Sequence, residues 1–151
     1  MSNIKYISTR GDAKTLFFKD VIFEGLAPDG GLYVPQEWPI LDSELIKSFN
    51  NLGYNEIAFH VIKSFLDDSI SDSVLKDIII KSYSHFKSKD VTPLVHIDNN
   101  EYILELFHGP TMAFKDVAMQ FIGNTMNYYL SNTNEKINIL GATSGDTGAA
   151  A

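Results

Sequence analysis

The chain has 151 residues, 44% of them hydrophobic and 12% aromatic, which is material for one sizeable core or for one domain and part of another. Nineteen acidic residues outnumber twelve basic ones and no basic cluster forms, which argues against nucleic acid or an anionic membrane as partner. The absence of cysteine excludes disulfides, Cys-based zinc sites and thiol nucleophiles. Together with the lack of any signal-type or bilayer-length apolar run, it reads as cytoplasmic.

In chain order, a short strand is expected around Lys5 to Ile7, followed by an apolar segment from Leu16 to Phe23. Pro28-Asp29-Gly30-Gly31 then supplies turn chemistry, and Leu32, Tyr33 and Val34 an extended run closed by Pro35. Helical periodicity follows in three stretches: Leu45, Ile46 and Phe49; Ile57 to Leu66; and Val74 to Phe86. Gly53 separates the first two, and Ser71 or Asp72 offers an N-cap to the third. These helices carry packing faces and no evident chemistry.

From Pro93 the pattern alternates through Leu94, Val95 and Ile97, turns at Asp98-Asn99-Asn100, and resumes from Tyr102 to Phe107, a hairpin signal. A calcium loop beginning at Asp98 would place Gly109 where a bidentate carboxylate is required, so no metal site is expected. The loop His108-Gly109-Pro110-Thr111 leads into a helix with an apolar stripe from Phe114 to Tyr129. Ile137 to Leu140 reads as a buried strand, and the loop Gly141 to Gly148 opens a short Ala-rich helix.

Strand, long helical crossover and strand is the pattern of a parallel βαβ unit, whose loops emerge at one sheet edge where ligands bind. Lys115 and the loop Ser144 to Thr147 would then face one crevice. A helix start and the apolar neighbours Met112, Ala113 and Phe114 both favour a free amine at Lys115, as a Schiff-base nucleophile requires; the alternative is an exposed lysine near Asp116. Thr143, Ser144, Gly145, Asp146, Thr147 and Gly148 combine hydroxyls, glycines and a helix N-terminus, the parts of an anion loop. The loop matches neither a Walker nor a dinucleotide pattern, and Asp146 could equally be a plain N-cap.

These residues resemble a known family. HGPTMAFKD (His108 to Asp116) is similar to the cofactor-lysine motif of the threonine synthase family, and TSGDTG (Thr143 to Gly148) to its loop after the next strand. STRG (Ser8 to Gly11) and EGLAPDGGLYVP (Glu24 to Pro35) are similar to its N-terminal region. The resemblance implies an α/β fold: an N-terminal mixed, mainly helical subdomain over 1–92, then the truncated start, over 93–151, of the parallel-sheet domain of pyridoxal-phosphate (PLP) fold type II. The implied activity is conversion of O-phospho-L-homoserine and water to L-threonine and phosphate, a phosphate-eliminating lyase reaction with pyridoxal phosphate as cofactor. Lys115 would be the cofactor-bearing, proton-shuttling residue. Asp146 would lie near the cofactor's phenolic oxygen, and Thr143, Ser144, Gly145 and Thr147 would hold the substrate carboxylate. His108, ending the strand before Lys115, could orient the loop.

Members of that family are much longer, so the chain reads as an N-terminal fragment without the cofactor-phosphate loop, inactive alone and waiting for its own C-terminal half. Two alternatives stand beside this reading: another fold type II lyase of the dehydratase or cysteine-synthase kind, and a non-catalytic anion-binding domain. Of the other histidines, His60 and His85 are expected in helices as structural residues and His96 in a strand.

Overall fold

The computed structural model describes residues 4–131, 133 and 135–151. The chain divides into two compact units, Met1–Lys76 and Asp77–Ala151.

In the first unit, β1 (Lys5–Ser8) is the centre of an antiparallel sheet flanked by β2 (Leu16–Phe17) and β3 (Tyr33–Pro35). Its register pairs Tyr6 with Leu16 on one side and with Pro35 on the other. Proline closes β3 because it has no N–H for a further ladder bond. The apolar segment after β2 turns into α1 (Phe18–Glu24), ended by Gly25 at φ 73°, where a side chain would be strained. Next come α2 (Ser43–Ser48), whose N-cap Asp42 accepts from Leu45 N at 2.8 Å, and a 3₁₀ turn, Phe49–Asn51. α3 (Tyr54–Lys63) follows Gly53, whose N–H donates to the Glu56 carboxylate at 2.9 Å. The unit's core contains Tyr6, Ala27, Phe59, Leu66, Ile70 and Leu75. The Tyr6 hydroxyl donates to the Phe65 carbonyl at 2.7 Å, which joins the sheet to the chain beyond α3.

α4 (Asp72–Tyr83) is capped by Ser71, whose hydroxyl accepts from Val74 N at 3.4 Å. Its C-terminal half belongs to the second unit, where it docks on α5 (Asp116–Ser131). The single Ser82 hydroxyl proton is shared between Ile78 O at 2.7 Å and Gln120 O at 3.1 Å, and Tyr83 OH donates to Val117 O at 3.2 Å. Both serine and tyrosine are buried, with Ile79, Phe86 and the α5 residues Thr125 and Tyr129 beside them in the core. Burying a side chain such as Ile79 stabilises by about 2 kcal/mol. Between α4 and α5 runs the hairpin β4 (Leu94–Asp98) and β5 (Glu101–Leu104), antiparallel, with Asn99 at φ 43° in the turn.

Four expectations need correction. Ile137 to Leu140 is neither a strand nor buried: residues 135–140 have no regular structure, and Ile139 and Leu140 are 74% and 100% exposed. An apolar run becomes a buried strand only with a ladder partner and covering layers, and β5 gives its ladder to β4 alone. The parallel βαβ pairing is therefore not formed among the described residues, whose sheets are antiparallel, while the mixed α/β class stands. β5 ends at Leu104, before the expected Phe107. His85 lies beyond the end of α4 and is exposed, because Ser84 and His85 turn away from the helix.

Candidate active site

The segment from Glu105 to Met119 is tied together residue by residue. Glu105 N donates to Pro93 O at 2.9 Å, and its carboxylate meets His108 Nε2 at 2.6 Å. The half-buried His108 ring lies 4.8 Å from that of Phe107, and the His108 carbonyl accepts from Lys87 N at 2.9 Å. The chain then makes a tight turn in which Met112 N donates to Gly109 O at 3.2 Å. Met112 itself takes φ 62°, a left-handed conformation that few non-glycine residues adopt.

Asp116, the first residue of α5, closes this turn. It is 0% exposed; Oδ2 accepts from Thr111 N at 2.9 Å and Oδ1 from Thr111 Oγ1 at 2.7 Å. Both oxygens act as acceptors, at a helix N-terminus where an acidic residue is favourable. The approach is so close that a Cβ at residue 109 would collide with the Asp116 side chain, its Cγ only 2.7 Å away, so only glycine fits.

Lys115 stands one residue before α5, not within its first turn, because the tight bend that brings Asp116 N to Ala113 O (3.0 Å) delays the helix. The Lys115 carbonyl accepts from Ala118 N at 3.1 Å and Met119 N at 2.9 Å. Its side chain is half-buried, with Nζ 5.1 Å from the centroid of the Phe114 ring. Among the described residues no ion pair engages it, and Asp116 is turned to Thr111, contrary to the reading of an exposed Lys115–Asp116 neighbour pair. Phe114, expected on the helical stripe, precedes the helix and is exposed.

The second loop is differently made. Thr143 Oγ1 accepts from Gly145 N at 3.0 Å and from Gly148 N at 3.1 Å, so a side-chain hydroxyl occupies two amides that the anion-loop reading would turn towards a ligand. Asp146 is the first residue of α6 (Asp146–Ala150) and not its N-cap, which is Gly145 at φ 130°. Ser144 and Asp146 are exposed and Thr147 half-buried. α6 touches α5, which places both loops in one compact unit.

Sequence comparison decides the family. The profile described as threonine synthase N terminus matches residues 5–83, just over half the chain. This chain belongs to the threonine synthase family. It is 49% identical over 148 residues to the threonine synthase of Pseudomonas aeruginosa, a match covering 98% of this chain and 32% of that relative. With the threonine synthase of Schizosaccharomyces pombe it shares 43% identity over 159 residues, covering 99% and 31%. The crystal structure of PLP-bound threonine synthase from Brucella melitensis superposes with a TM-score of 0.92 at 47% identity, over 98% of this chain and 32% of that one. The chain thus spans about a third of the length of the threonine synthases it matches. Among the described residues no helix is long and apolar enough to cross a membrane.

Asp116, buried and bonded to Thr111, is the residue of this loop that sequence reasoning missed. The acid sits in the HGPTMAFKD motif, but its partner, five residues back, shares neither a helical nor a strand period with it. The available signal was glycine at 109 and threonine at 111 preceding an acid at a helix start.

Proposed function

We propose that this chain supplies the cofactor lysine and the substrate-carboxylate loop of a pyridoxal-phosphate-dependent threonine synthase, which converts O-phospho-L-homoserine and water to L-threonine and phosphate. One observation carries the reading: a half-buried lysine amine, held in no ion pair among the described residues, projects from a loop locked by a buried carboxylate. An aldehyde cofactor needs an amine that is not committed to a carboxylate and that a fixed backbone presents; Lys115 meets both conditions. When bound, the cofactor supplies an electron sink for carbanions formed on the substrate.

The residues of this chain then divide the remaining work. Lys115 would hold the cofactor through Nζ and, as a free amine, would take and return protons at the substrate carbons during loss of phosphate and addition of water at the β-carbon. Ser144 and Thr147, with the backbone of Thr143 and Gly145, hold the substrate's α-carboxylate, which requires the Thr143 hydroxyl to release the amides it now occupies. Asp146 would help to hold the cofactor at its phenolic side, and His108, tied to Glu105, would keep the strand end and the loop in register. In the full protein, a cytoplasmic enzyme, residues 93–151 open the cofactor-binding domain and residues 1–92 form the subdomain before it. The relatives possess about two-thirds of their length in addition to the matched segment.

The test is covalent trapping. The full-length protein and this chain are each mixed with pyridoxal phosphate, reduced with borohydride and mapped by mass spectrometry, with Lys115→Ala as control. Selective labelling of Lys115 in the full-length protein, absent in the variant and weak in the isolated chain, supports the reading. Labelling spread over surface lysines in the full-length protein removes it.

A further inference from the structure

The Asp116 clasp does more than the proposed chemistry asks of it. Asp116 makes no contact with the Lys115 amine that would bring it into proton transfer; its two oxygens are spent on Thr111. Yet it is wholly buried, in a loop with three unusual features. Position 109 must lack a Cβ, Met112 holds φ 62°, and α5 starts one residue late, directly after Lys115. A left-handed non-glycine residue is strained and persists only where its surroundings over-determine it. Between Gly109 and Asp116 the loop's own backbone contributes two hydrogen bonds, Met112 N to Gly109 O and Asp116 N to Ala113 O. The carboxylate adds two more, and these join the front of the loop to the first turn of the helix.

We propose that Asp116 is a positioning residue for Lys115: by fastening Thr111 to the start of α5 it fixes the Lys115 backbone, and hence the origin from which the amine reaches. The inference rests on the reading of Lys115 as the cofactor lysine. A lysine side chain has four rotatable bonds, so its amine can be aimed only as well as its Cα is held. Releasing the loop spreads the amine over many positions and lowers its effective concentration at any one of them.

The hydrogen-bond pattern separates geometry from charge. An asparagine at 116 can keep both bonds, its carbonyl oxygen accepting from Thr111 N while its amide donates to Thr111 Oγ1, because a hydroxyl can reverse its role. An alanine loses both. Thr111→Val removes the hydroxyl bond and leaves the amide bond in place.

The measurement is the rate at which Lys115 of the full-length protein is captured by pyridoxal phosphate: the amine condenses with the aldehyde with loss of water, and borohydride then fixes the bond. Capture of the exposed Lys47 in the same molecule serves as internal reference, and thermal unfolding establishes that each variant is folded. The expected result is a fall of tenfold or more in the Lys115-to-Lys47 ratio for Asp116→Ala, a fall of severalfold for Thr111→Val, and a ratio within twofold of wild type for Asp116→Asn. Should Asp116→Ala fail to fold, the other two variants decide. If Thr111→Val stays within twofold of wild type, or Asp116→Asn falls as far as an alanine would, the clasp does not position the lysine. Those results leave the cofactor reading intact provided that wild type is captured at Lys115; if wild type is not captured there, both fall together.

Discussion

Two glycine turns in this chain are each held by one aspartate, and they differ in where the carboxylate lies. In the STRG and PDGG motifs, Asp29 accepts from Ser8 Oγ at 2.7 Å, Gly31 N at 2.9 Å and Asp12 N at 3.0 Å, while the only arginine, Arg10, donates to the Asp29 carbonyl at 3.2 Å. In the HGPTMAFKD motif, Asp116 accepts two hydrogen bonds from one threonine. The first carboxylate has the larger number of partners, but it sits at a partly exposed edge, where its bond to Asp12 N faces water and those to Ser8 and Gly31 are part-buried. The second has fewer and is sealed from solvent. Partner number is therefore a poor guide to what each clasp is worth: an unsatisfied donor facing water loses little, whereas one left in a sealed site loses its full desolvation cost.

The largest effect should come from Gly109→Ala. The new Cβ would strike the Asp116 side chain, which is buried and has no free direction in which to move. A loss of about 3 kcal/mol or more in unfolding free energy is expected, in the range of overpacking combined with a broken buried hydrogen-bond pair. Gly30→Ala, in the exposed turn, meets only the flexible end of Arg10, its Nη1 at 3.2 Å; the remaining penalty is the φ of 78°. That is worth about 1 kcal/mol. Denaturant unfolding of the two variants checks the comparison, and equal losses would show that burial does not distinguish the turns.

Asp116→Ala comes next, at about 2 kcal/mol, since it leaves the part-buried Thr111 N–H and hydroxyl without their acceptor and opens a void where the buried carboxylate stood. A loss below about 1 kcal/mol, read in the same unfolding experiment, would mean that water enters the space left by the carboxylate.

How far the sequence could be read follows the same division between local and remote causes. The helices around Ile57 to Leu66 and Val74 to Tyr83, the turn at Pro28 to Gly31 and the hairpin from Leu94 to Leu104 were all legible, because periodicity, glycine and proline act within a few residues. Ile137 to Leu140 was misread because its apolarity is a demand for neighbours, and a run of apolar residues cannot supply its own ladder. The Lys115 loop was legible as a motif, but its mechanics were not: an aspartate at a helix start normally faces solvent, and nothing in the spacing says that this one is buried against Thr111. In the second loop the glycines were read as open to an anion, whereas Thr143 Oγ1 occupies two of the amides. Hydroxyl capping of this kind depends on a local fold that composition does not encode.

Acidification offers the mildest way to sharpen the contrast. In the folded chain the Asp29 carboxyl is held below its ordinary value, first by the Ser8 hydroxyl and further by the Gly31 and Asp12 amides and the Arg10 charge, against an opposing push from partial burial. A carboxyl depressed on folding binds its proton more weakly in the native state than in the unfolded one. Its contribution to stability is therefore fully present above the unfolded value of about 3.9 and is lost as pH falls through the lower folded value. Asp29→Asn removes that dependence. The midpoint temperature of wild type should exceed that of the variant at pH 6, and the gap should narrow between pH 4 and pH 3 as the wild-type carboxylate is protonated. A gap that stays constant over this range would mean that the hydrogen bonds to Asp29 are equally good to acid and to carboxylate, so that the exposed clasp works by geometry and not by charge.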